Sequence, residues 1–189
     1  MNKTIRKVKS PQRRSNIFCI EGSWENDHRD TKSVIKALEF LKCIEKVDCI
    51  VKQCNNVSTL NDLLNDSMLA KYKKYSILYL AFHGKPNNIL VGKRNSKTNL
   101  EEIAEMIGDK ANGKIIHFGS CSTLNISGWE LRKFLKKTNA LAISGYKEEV
   151  DFVKSTVFDL IYFQQCQKSF DIRVIEKNIN KYYSTLGKE

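Results

Sequence analysis

From residue 16 onward, short and mostly continuous apolar runs take turns with longer amphipathic stretches, a pattern that few architectures satisfy. The runs at 17–20, 49–51, 77–82, 115–118 and 140–143 show little polar alternation. Strands of that kind are buried on both faces, which is the condition of a parallel sheet covered by helices. Between the runs, apolar residues fall at helical spacing: Val34, Leu38, Leu41 and Val47, then Leu60, Leu63, Leu64 and Met68, then Leu100, Ile103 and Ile107, then Trp129, Phe134 and Leu135. Asn99 with Glu102, and Ser127 with Glu130, each offer a side-chain cap followed three residues later by an acid, so two of these helices have marked starts. Segments 152–163 and 172–186 read as closing helices, with a turn at 168–171. The expected fold class is therefore α/β, with a mostly parallel central sheet flanked by helices.

A chain of 189 residues with 41% hydrophobic content is long enough to bury roughly 70% of its unfolded surface without staples. Two prolines and no internal repeat give no reason to divide it after residue 16. The six cysteines, Cys19, Cys43, Cys49, Cys54, Cys121 and Cys166, have irregular spacing and no C-x-x-C pair, which argues against a disulfide framework and against a zinc knuckle. No apolar run approaches the ~18 residues of a membrane span, and the basic start lacks the apolar stretch of a secretory signal. A cytoplasmic protein without membrane attachment is expected.

The net charge is +11, and residues 1–16 hold six of the cations with no acid: Lys3, Arg6, Lys7, Lys9, Arg13 and Arg14. With Pro11 and no apolar periodicity, 1–16 reads as a flexible basic arm ahead of a domain at 17–189. Such an arm either solubilises the chain or contacts nucleic acid or an acidic partner.

In an open parallel sheet, ligands and reacting groups gather beyond the carboxyl ends of the strands, where the loops diverge. The first strand runs into Glu21, Gly22, Ser23 and Trp24, the third into His83 and Gly84, the fourth into Gly119, Ser120, Cys121 and Ser122, and the fifth into Ser144, Gly145 and Tyr146. If the third and fourth strands are neighbours, about 4.8 Å apart, an imidazole and a thiol come within mutual reach, the makings of a Cys/His dyad. Gly84 and Gly119 let backbone N–H groups approach a substrate carbonyl. Trp24 is placed to line a pocket or to pack on a helix. His117, inside the fourth strand, reads as a packed core residue, as do Cys19 and Cys49 in theirs; Tyr72, Tyr75 and Tyr79 read as packing residues, and His28 as an exposed loop residue. A nucleotide-binding or phosphoacceptor domain would need a glycine-rich loop or an acidic strand end, and neither is present.

These residues resemble the caspase-like, clan CD cysteine peptidases, and most closely their bacterial CHAT branch. The run Leu78-Tyr79-Leu80-Ala81-Phe82-His83-Gly84 is similar to the family's apolar strand ending in His-Gly. Ile116-His117-Phe118-Gly119-Ser120-Cys121-Ser122-Thr123, whose Cys121 stands thirty-seven positions after Gly84, resembles the strand that ends in the nucleophilic cysteine. A third match runs from Ala140 to Gly145 and on to Val150 and Asp151 before an aromatic-rich helix. Leu124 stands where the family often has Gly, and Glu148 where many members carry Trp. The resemblance implies a three-layer caspase-like sandwich and a cysteine endopeptidase needing neither metal nor cofactor. Cys121 would attack the peptide carbonyl, His83 would handle the protons, and the backbone N–H groups of Gly84 and Cys121 would hold the oxyanion. It further implies a protein or peptide substrate and a regulatory sensor or activator partner, as in antiphage defence. The loops after the first and fifth strands would form the pocket for the residue before the cut. Glu21, Glu148 and Asp151 on those loops, with Trp24 beside them, point to cleavage after Arg or Lys. Without catalysis, the same fold would serve as a binding or regulatory module.

Overall fold

The computed structural model describes residues 15–183 apart from 26, 28, 30, 93–95 and 170. The basic arm lies outside the described residues except for its last two. Those two are packed rather than free: Ser15 is 3% exposed, its N–H donates to Gln167 Oε1 at 2.9 Å, and Gln167 Nε2 donates back to the Ser15 carbonyl at 3.0 Å. The Asp48 N–H also donates to the Asn16 side chain. Packed structure therefore includes at least the two residues before the boundary that composition suggests.

The core is a five-stranded sheet of β1 (Ile17–Glu21), β2 (Cys49–Gln53), β3 (Ile77–Ala81), β7 (Ile115–Phe118) and β8 (Ala142–Gly145), in the order β2-β1-β3-β7-β8. All four pairings are parallel. Alternate strand residues feed two separate cores. Phe18, Ile20, Leu78, Leu80, Ile116 and Phe118 pack with α2 (Val57–Ser67), α3 (Leu100–Ile107) and α4 (Gly128–Thr138). Ile17, Cys19, Ile77, Tyr79 and Ile115 pack with α1 (Ile35–Glu45), α5 (Phe152–Lys168) and α6 (Ile172–Tyr183). The result is a three-layer α/β sandwich, as the continuous apolar runs require. Both expected caps form as full capping boxes, at Asn99 with Glu102 and at Ser127 with Glu130. Among the described residues, no helix is long and apolar enough to cross a membrane.

Two departures from the sequence reading matter for the site. The fifth strand starts at Ala142 rather than Ala140, because α4 ends in a left-handed Asn139. Ala140 then bridges to Asn112, and Leu141 is left 52% exposed. The strand instead runs on through Ser144 and Gly145, which pair with His117 and Phe118. Secondly, His83 does not end β3. It opens β4 (His83–Lys85), the first strand of a small antiparallel sheet with β5 (Asn88–Val91) and β6 (Ser96–Asn99) that precedes α3.

Candidate active site

β3 and β7 are hydrogen-bonded neighbours, so the segments that leave their carboxyl ends emerge side by side. His83 lies two residues past β3 and Cys121 three past β7. Their backbones meet at Gly84, where a Cβ would stand 2.3 Å from the Cys121 carbonyl oxygen and 3.0 Å from the Cys121 nitrogen. Only glycine allows that approach. The antiparallel sheet is sewn to the Cys121 turn by the Asn87 N–H donating to the Thr123 carbonyl at 3.2 Å, and by Thr123 Oγ1 donating to the Asn88 carbonyl at 3.0 Å.

The imidazole of His83 is half-buried and oriented by a main-chain group: Nε2–H donates to the Trp24 carbonyl at 2.5 Å. The Trp24 ring meets the imidazole edge-on with centroids 5.3 Å apart, and Phe152 backs that indole at 4.8 Å. With Nε2 committed as a donor, Nδ1 is the nitrogen left to accept a proton. Cys121 is half-buried and its thiol donates to the Val150 carbonyl at 3.4 Å. Ser122 after it takes a left-handed conformation with φ 52°. Its N–H donates to the Glu148 carbonyl at 2.9 Å, and the Leu124 N–H donates to the Tyr146 carbonyl at 3.0 Å. The turn bearing the thiol is thereby strapped to the segment that follows β8.

The expected pocket residues separate into different roles. Glu21 is not a pocket carboxylate: it is 0% exposed and takes four donors. Trp24 Nε1 and the Val34 N–H donate to Oε1, and Ser33 Oγ and Gln53 Nε2 donate to Oε2, all at 2.7–2.8 Å. It is a buried fastening that sets Trp24, and through it the ring of His83. Trp24 does stand at the site, as the support of the imidazole. Asp151 is the N-cap of α5, where Oδ1 accepts the Val153 and Lys154 N–H groups at 2.9 and 3.0 Å. Those N–H groups hold its carboxyl below the usual range. Glu148 alone is exposed with no such employment shown, on the rim of a cavity of about 730 Å³ beside β8. Arg29, the nearby cation, turns to Asp27 at 2.7 Å, and His28 lies outside the described residues.

One family matches residues 14–189, and its description reads family of unknown function (DUF6642). The chain belongs to the DUF6642 family. Comparison with curated proteins gives no match.

Beneath the Cys121 turn, this DUF6642 chain carries a buried polar network that sequence reasoning missed. His117 is 2% exposed, as a core residue should be. Yet its Nε2–H donates to Asp159 Oδ1 at 2.9 Å and its Nδ1 accepts from Ser144 Oγ at 2.9 Å. Tyr79 donates to Asp159 Oδ2 at 2.6 Å, and the Tyr146 hydroxyl also donates to Asp159. Burial, then the Asp159 charge, pushes both phenols up, so they stay protonated donors. The legible signal was Asp159 itself, an acid four residues before Phe163 and seven before Cys166 on the buried face of α5. Among the described residues, no group of His, Cys, Asp and Glu is arranged to hold a metal ion.

Proposed function

We propose that this DUF6642 member is a cysteine endopeptidase of the caspase-like, CHAT-related kind, a cytoplasmic effector whose proteolysis is switched by a sensor partner. The observation that carries the reading is the seating of Gly84 on the Cys121 peptide, with the neighbouring imidazole held through Nε2 by the Trp24 carbonyl. The Cys121 thiol donates its proton to the Val150 carbonyl, and that proton must leave the sulfur as the substrate carbonyl arrives. In this reading Nδ1 of His83 takes that proton, Cys121 Sγ forms the thioester, and the proton passes to the departing amine. Water then hydrolyses the thioester with His83 as base. The backbone N–H groups of Gly84 and Cys121 are assigned to the oxyanion.

The test must allow for Cys43, which is exposed, whereas Cys19, Cys54 and Cys166 are buried. In a Cys43→Ser background, iodoacetamide followed by peptide mapping should modify Cys121 ahead of the other thiols. A peptide library should be cleaved by that protein and left intact by Cys121→Ala and His83→Ala. Undiminished cleavage by folded Cys121→Ala rejects the nucleophile.

A further inference from the structure

We propose that Ser144, His117 and Asp159 form a second acyl-transfer site, independent of Cys121, that hydrolyses neutral esters of short apolar acids in the cavity beside β8. Ser144 and His117 are register partners on adjacent parallel strands, so their side chains lie next to each other on the face that α5 covers. Asp159 reaches down from α5 and completes a linear series: Ser144 Oγ to His117 Nδ1 at 2.9 Å, and His117 Nε2 to Asp159 Oδ1 at 2.9 Å. That is the nucleophile, base and orienting carboxylate of serine acyl transfer, recognised by geometry and not by chain order.

The protonation states follow from the partners. Asp159 receives donors from His117, Tyr79 and Tyr146, which is the environment of an ionised carboxylate. A neutral imidazole that donates through Nε2 keeps its lone pair on Nδ1, and that lone pair faces the Ser144 hydroxyl. The ring cannot turn away, since Tyr162 stacks on it at 4.9 Å and 22° while Phe163 meets it edge-on at 5.2 Å. Tyr162 lines the same cavity as Ser144, and we assign its hydroxyl to the oxyanion.

A closed polar network would only fix the core, but this one opens. Ser144, His117 and Tyr162 all line the 730 Å³ cavity, whose walls include Ile143, Phe158, Ile172, Ile175 and Ile179. The volume is that of a small-molecule site, and the walls suit an apolar acyl chain. Glu148, Glu149, Asp151 and Glu176 outnumber Lys147 and Lys154 around it, so a neutral ester is admitted and its acid product repelled. In the reaction, Ser144 Oγ bonds to the acyl carbon while its proton passes to His117 Nδ1. The ester C–O bond breaks and the alcohol leaves with that proton. Water then attacks the acyl-serine, giving one proton to His117, and the acyl–Oγ bond breaks as Ser144 is reprotonated.

The test uses the full chain with Cys121→Ala, so that the thiol takes no part. A fluorophosphonate probe should label Ser144, located by peptide mapping, and p-nitrophenyl butyrate should be hydrolysed. Ser144→Ala, which removes one oxygen and leaves the strand intact, should abolish both. His117→Gln should lower the labelling rate by about 100-fold or more. Absence of label at Ser144 in the folded protein, or ester hydrolysis unchanged in Ser144→Ala, overturns the proposal. Neither result bears on peptide cleavage, which is read in chains that retain Cys121.

Discussion

A methyl group on Gly84 would meet the Cys121 carbonyl oxygen at 2.3 Å and Thr123 Oγ1 at 2.4 Å. The first contact is backbone and cannot swing aside, so Gly84→Ala has to push the Cys121 turn away from the antiparallel sheet. The expected cost is about 1–3 kcal/mol of stability, seen as a lower urea midpoint. The alkylation rate of Cys121 should change while that of Cys43 does not. Under the proposed peptidase reading, Glu148 is the carboxylate left to select a cationic residue before the cut, because Glu21 and Asp151 are engaged. Peptides with Arg at that position should lose up to about fivefold of their advantage over Leu peptides in Glu148→Gln, the size of one exposed charge contact. At this scale the sequence was readable in setting the segments that leave β3 and β7 side by side, with Gly84 against Cys121. It was misleading at Glu21, since an acid at a strand end reads as exposed until the side chains of Trp24, Ser33 and Gln53 are seen to converge on it.

The helix beginning at Phe152 is anchored by a cap that also ends the segment strapped to Cys121. Asp151→Ala should lower Tm by about 2–4 °C, and Asp151→Asn, which keeps the cap, should leave it unchanged. If instead Asn is as damaging as Ala, the carboxylate charge matters more than the cap. Elements were legible in proportion to the strength of their periodic signal. The five strands of the main sheet and the two capping boxes follow from apolar continuity and from acids three residues after a cap. The sheet of β4, β5 and β6 was invisible because its strands are 3–4 residues long, and the turn at Pro86 and Asn87 reads as simple loop. Its pairing is set by tertiary contacts with Thr123 that no local pattern carries.

Across the whole molecule, buried acidic side chains set the alkaline limit. Burial pushes the thiols of Cys49 and Cys54 up to about 11 and that of Cys166 up to about 12, and lifts Cys19 and the phenols of Tyr79, Tyr146 and Tyr162 as well. These groups ionise sooner in the unfolded chain than in the folded one. Their stabilisation is whole below the unfolded thiol value of 9.0 and drains away as pH climbs through the folded values. Lys114 works in the opposite sense: burial lowers it to about 8, so it adds stability between that pH and its ordinary 10.5. Among the described residues the raised thiols and phenols outweigh Lys114, and Tm measured under reducing conditions should hold up to about pH 9 and fall beyond it. A Tm that rises from pH 9 to 10.5 would show Lys114 to dominate. A quite different consequence follows from the two backbone bonds that join Ser122 to Glu148 and Leu124 to Tyr146. The Cys121 turn is slung between the antiparallel sheet on one side and the stretch between β8 and α5 on the other, so a protein that grips that stretch from outside moves the thiol by a lever arm without ever touching it.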